Sequence, residues 1–85
     1  MPTPKLPLSP ATIEFGARVR KLREAQGLTQ EALADRCAVH WTFLGQVERG
    51  QRSVRLDNLL KIAHGLGIRP GQLVDELPME PSDSA

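Results

Sequence analysis

Apolar residues recur at helical spacing from Ile13 to Leu77, and glycine, proline and short polar runs divide them into five segments. Phe15, Val19 and Leu22 stand at i, i+4 and i+7, with Ile13 beside them, and predict a first helix over residues 12 to 26. Ser9 or Thr12 suits its cap, Pro10 is tolerated in a first turn, and Gly27 stops the helix. Thr29 is a good N-cap for a second helix that Gln30 and Glu31 open. Its inward positions are Ala32, Leu33, Ala34 and Cys37, and the alanines let a neighbouring helix come close.

Residues 37 to 39 form a tight joint, and a third helix is expected from about His40 to Arg49. Leu44 and Val47 face inward and Phe43 closes the same side. That leaves His40, Trp41, Thr42, Gly45, Gln46 and Arg49 off the core. A solvent-facing tryptophan near a glycine on a short helix serves stability poorly, and suggests a surface that meets a partner. Residues 54 to 66 predict a fourth helix whose Leu56, Leu59, Leu60, Ile62, Ala63 and Leu66 exceed what one face requires. Residues 68 to 77, with Pro70 near the start, predict a short fifth helix carrying Ile68, Leu73, Val74 and Leu77. With no repeat and no strand pattern, the fold is expected to be all-α, with five helices.

The ends read differently. Residues 1 to 11 hold four prolines without periodicity and predict a flexible arm. Residues 78 to 85 predict a disordered acidic tail, which leaves a domain over residues 12 to 77. A core of roughly 65 residues is marginal unless helices pack efficiently or two copies associate.

Charge changes the picture modestly. The net charge of +1 conceals a body, residues 1 to 74, with all 11 Lys and Arg against six acids. Asp75, Glu76, Glu80 and Asp83 follow it. A basic body suits an anionic partner. No apolar run is long enough for a membrane span or a signal peptide, and one cysteine permits no disulfide framework. A reducing cytoplasm is the expected setting. There is no phosphate loop, no paired carboxylates and no nucleophile beside a base. Cys37, His40 and His64 match no zinc spacing, and Cys37 reads as a buried small hydrophobe. We therefore expect no enzyme, no metal, no cofactor and no small-molecule ligand.

The order and spacing of several strings are together specific. They are Leu28-Thr29-Gln30-Glu31 with Leu33-Ala34, Val39, Val47-Glu48-Arg49-Gly50, Leu59-Leu60-Lys61-Ile62-Ala63 and Leu66-Gly67-Ile68. Over residues 12 to 77 the chain resembles the Cro and phage-repressor type of helix-turn-helix domain, the XRE family, with a lambda-repressor-like fold. Its small size resembles stand-alone regulators such as restriction-modification controller proteins. One position departs from the family: a small polar residue usually caps the third helix, and here His40 stands there, followed by Trp41.

The resemblance implies a regulator of transcription that binds double-stranded DNA with its third helix in the major groove. His40, Trp41, Thr42 and Gln46 then face bases. Gln46 can bond an adenine through its amide, and Thr42 can hydrogen-bond or touch a thymine methyl. Trp41 suits a thymine methyl or a sugar-phosphate wall, or covers the joint between helices 2 and 3. Thr29 and Gln30 lie where a helix N-terminus favours a phosphate, and Arg49 and Arg52 suit the flanking backbone. The family also implies an ion pair between Arg23 and Glu48. One short helix buries too little for tight specific binding, so two copies are expected on a pseudo-palindromic operator. Leu60, Ile68, Leu73, Val74 and Leu77 are the expected homodimer interface. The alternative is a protein-binding adaptor or antitoxin-like module on the same fold, with Trp41 and Phe43 meeting a protein.

Overall fold

Ser9 opens the first helix: its hydroxyl accepts a hydrogen bond from the Thr12 amide at 3.1 Å, and Pro10 takes the first helical position. The computed structural model describes residues 9–79 and comprises α1 (Pro10–Ala25), α2 (Gln30–Cys37), α3 (Trp41–Glu48), α4 (Leu56–Leu66) and α5 (Gly71–Val74). Pro10 and Ala11 are thus helical rather than part of an arm, because a first-turn proline forfeits no helical hydrogen bond. The expectations for residues 1 to 8 and 80 to 85 lie outside the described residues.

The four longer helices end in the same way. One amide bonds back six-to-one (Leu28 to Arg23, Val39 to Ala34, Gln51 to Gln46, Ile68 to Ala63) at 2.9 to 3.1 Å. The residue before each of those amides turns left-handed. Glycine fills that place at 27, 50 and 67, but at the joint between α2 and α3 it is Ala38, with φ of 57°. That turn reverses the chain so that α3 follows α2 after only three residues.

Two glycines let the helices close on one another. A Cβ at Gly16 of α1 would strike the carbonyl oxygen of Val47 in α3. One at Gly65 of α4 would strike the sulfur of Cys37 in α2. Around these crossings Phe15, Val19, Leu33, Cys37, Leu44, Val47, Ile62, Leu66 and Leu73 form the buried core. Phe43, Leu59, Ile68 and Leu77 pack half-buried against it.

The later elements are shorter than the sequence pattern suggests. Residues 51–55 run as a loop, so α4 begins at Leu56, and α5 is a single turn. Ile68 is consumed by the cap of α4, and beyond Val74 the chain leaves the helix through an extended Asp75 and a left-handed Glu76. Within that single turn Leu73 points inward and is 0% exposed. It completes the core, and a side chain so placed cannot form an interface between copies. Two side chains tie the periphery down: Gln26 Nε2 donates to the Leu66 carbonyl at 2.7 Å, and Arg18 Nη1 to the Asp75 carbonyl at 2.6 Å. No described helix is long and apolar enough to cross a membrane.

Candidate nucleic-acid interface

The α2–α3 pair presents one surface built from both helix starts and the outward stripe of α3. At the start of α2 the Thr29 hydroxyl accepts from the Ala32 amide at 3.0 Å. Its own hydrogen and the amides of Gln30 and Glu31 remain available to an anion. At the start of α3 the imidazole of His40 does the capping, its Nδ1 accepting from the Thr42 amide at 3.1 Å. Histidine thus performs locally the task that a small polar residue performs elsewhere in the resembling family. Its ring lies nearly parallel to that of Trp41, with centroids 6.1 Å apart and planes at 22°. Trp41 is 52% exposed.

Thr42, Gln46 and Arg49 follow at helical spacing on the solvent side of α3. Gly45 belongs to that stripe by position but is buried. The space a side chain would take there is occupied by the Arg49 guanidinium and the Gln30 carboxamide, both within 3.4 Å of its missing Cβ. Gly45 therefore brings a side chain from α2 and one from the end of α3 over the same patch. Arg49 Nε also donates to Gln51 Oε1 at 3.3 Å.

Behind this surface Arg23 and Glu48 meet in parallel, Nε to Oε2 at 2.7 Å and Nη2 to Oε1 at 3.0 Å. Their side chains are almost out of solvent, and each makes a further hydrogen bond. Arg23 Nη1 donates to the Leu28 carbonyl at 2.8 Å, and Gln30 Nε2 donates to Glu48 Oε1 at 3.0 Å. The hydrogen bond to Glu48 raises the pKa of Arg23 against the opposing effect of burial. The network joins α1, the α2 entry and the last residue of α3. It fixes the orientation in which α3 is presented. Gln30 is thus half engaged with Glu48, a bond that sequence spacing does not reveal.

Arg52 belongs to the 51–55 loop, and its side chain folds back along α3. Its guanidinium carbon sits 5.2 Å from the centroid of the Phe43 ring, and its Nη1 is 3.4 Å from Gln46 Oε1. Among the expected interface residues, Leu60 and Val74 are 46% and 38% exposed, while Ile68 and Leu77 are half-buried on the core. Leu56, 69% exposed and one helical turn before Leu60, belongs with the exposed pair. Its spacing from Leu60 was the available signal. Cys37 is buried, which pushes its thiol up to about 11, and among the described residues no group of three or more His, Cys, Asp or Glu is placed to hold a metal.

Comparison with known proteins follows the same outline. A family model described as a helix-turn-helix domain matches residues 14–77. The chain is similar to control protein C.BamHI of Bacillus amyloliquefaciens, 44% identical over 62 residues, which span 72% of this chain and 76% of the relative. It is also similar to control protein C.MunI of a Mycoplasma species, 39% identical over 69 residues, covering 80% and 93% of the two. Among solved structures it resembles the restriction-modification controller protein C.AhdI from Aeromonas hydrophila. That match has a TM-score of 0.72 and 48% identity over 73% of this chain and 94% of the other.

Proposed function

This chain belongs to the helix-turn-helix domain family, and from that premise we propose that it is a sequence-specific DNA-binding regulator of transcription, of the controller type. The observation that carries the proposal is the stripe of Thr42 and Gln46 on α3 with Arg49 at its C-cap, Thr42 and Arg49 exposed and Gln46 half-buried, on a helix locked at its back through Glu48. Such an arrangement costs little reorganisation on binding, because the reading helix is held before DNA arrives. Its similarity to control proteins in size and fold supports the same reading.

In the complex α3 enters the major groove by its N-terminal end. His40, Trp41, Thr42 and Gln46 meet base edges there; Trp41, with a flat apolar face, takes a thymine methyl. Thr29 and Gln30 at the α2 entry, with Arg49 beside them, take the phosphates that set the register. Two copies act together through apolar residues of the later helices, the exposed Leu56, Leu60 and Val74 with the half-buried Ile68 and Leu77, and so place two α3 helices on a pseudo-palindrome. The setting is the cytoplasm, and the protein acts by occupying DNA rather than by catalysis.

Selection of bound duplexes from a random-sequence pool tests the proposal. The expected product is a two-fold repeated site, protected in footprinting of the DNA upstream of its own gene. Recovery of no enriched sequence, together with capture of a protein through Trp41, would instead establish the adaptor reading.

A further inference from the structure

We propose that DNA binding by this protein responds to cytosine methylation, because His40 and Trp41 form a two-ring surface that accepts the 5-methyl group of a pyrimidine. The proposal rests on the DNA-reading function above and adds a regulation of the same site.

Trp41 is the first residue of α3, at the end that leads into the major groove. It is 52% exposed, a poor place for so large an apolar side chain unless a partner covers it. The ring adjoins the exposed Thr42 at the front of α3, so the partner that covers it is the DNA that α3 reads.

His40 holds this surface in place. Its Nδ1 accepts from the Thr42 amide at 3.1 Å, which fixes the imidazole at the helix start. The indole lies nearly parallel to that ring, with centroids 6.1 Å apart and planes at 22°. That separation is within the range of an aromatic pair, so Trp41 loses little side-chain freedom when it meets a base. A small polar residue at position 40 would cap the helix as well and leave the indole without a neighbour.

Major-groove edges differ in their donors, their acceptors and the 5-methyl group of thymine. The one donor of tryptophan, Nε1–H, lies on the ring edge, and the face has nothing to match against thymine O4 or the cytosine 4-amino group. The methyl group is then the feature that the face selects. 5-Methylcytosine carries the same methyl in the same place as thymine. Methylation of a cytosine at this position therefore strengthens the contact.

The experiment uses the full chain and the duplex recovered by selection. Each thymine of one half-site is replaced in turn by deoxyuridine, which removes the methyl group alone. The responding position is then rebuilt as cytosine and as 5-methylcytosine, so that each ratio compares duplexes differing by one methyl. Wild type is expected to bind about 4-fold more tightly with the methyl than without it, for both pyrimidines. Trp41→Ala and Trp41→Gln are expected to lose both preferences. His40→Ser keeps a cap but no ring, and is expected to melt as wild type does while both ratios fall to about 2-fold. Thermal melting of every variant identifies any that fails to fold.

A wild type indifferent to every methyl group, or preferences that survive in both Trp41 variants, overturns the proposal and leaves the DNA reader standing. So does a preference for thymine over uracil without one for 5-methylcytosine over cytosine. A wild type that binds all duplexes alike overturns the DNA-reading function as well.

Discussion

Arg23 of α1 holds Glu48, the last residue of α3, through two parallel hydrogen bonds of 2.7 and 3.0 Å. Each partner has one further bond, to the Leu28 carbonyl and from Gln30. Removing one member of so enclosed a pair strands the other charge. Glu48→Ala is therefore expected to cost about 3–5 kcal/mol, a large part of the stability of a small domain. Glu48→Gln also leaves the Arg23 charge unpaired but keeps an acceptor oxygen for its N–H groups, and is expected to cost less. DNA binding should fall along with the melting temperature. An unchanged melting temperature in Glu48→Ala would contradict this account of how α3 is held.

Ala38 performs at the joint what glycine performs at three other helix ends, with a φ of 57°. A left-handed alanine is strained, and glycine is not. Ala38→Gly removes that strain while loosening the unfolded chain, so a net gain of about 0.5–1 kcal/mol is expected. In a domain this size that raises the melting temperature by several degrees, readable by circular dichroism. A fall would mean that the Ala38 methyl contributes more than the turn costs.

Burial in the α2–α4 crossing pushes the Cys37 thiol from an ordinary value near 9.0 up to about 11. The folded state therefore holds the proton more tightly than the unfolded state. The contribution of the protonated thiol to stability is complete below about pH 9 and is lost as pH rises through about 11. Denaturant melts over that interval should show a decline that Cys37→Ala lacks. Alkylation of the native protein at pH 8 should likewise be much slower than that of the unfolded chain. Equal rates would place the sulfur in solvent.

Leu60 is 46% exposed on α4, one helical turn after the exposed Leu56, so a charge there is compatible with the monomer fold. Leu60→Glu is expected to raise the dimer dissociation constant by about 30-fold or more while the monomer keeps its helicity. Sedimentation across a micromolar concentration series measures both forms. A wild type that stays monomeric throughout, or a variant that dimerises as well, would remove this face from the interface.

Helical spacing made α1 to α3 readable because each carries one apolar stripe, and glycines 27 and 50 stop α1 and α3. Thr29 and Gly27 are legible at the level of single residues for the same reason. The downstream half was less so. Residues 68 to 77 are rich in apolar side chains, yet the cap of α4 uses Ile68 and only one helical turn remains. Exposure is a tertiary property, so Leu73 and Val74, adjacent in sequence, could not be sorted into core and surface by pattern alone. The placement of Arg52 over Phe43 depends on the path of a loop, which has no periodicity to read. At His40 the residue type disguised the role: an imidazole nitrogen caps α3 where a hydroxyl or amide oxygen is the common choice.

The central claim, that the outward stripe of α3 reads base sequence, is tested most directly by one measurement. It is the affinity of wild type and Gln46→Ala for the selected duplex and for a scrambled duplex, at low and physiological salt. The account predicts that wild type prefers the selected duplex strongly and loses affinity steeply with salt. Gln46→Ala should melt at the same temperature, keep its affinity for scrambled DNA and lose about 10-fold or more on the selected duplex. Equal binding of both duplexes by wild type, or full discrimination by Gln46→Ala, would contradict it.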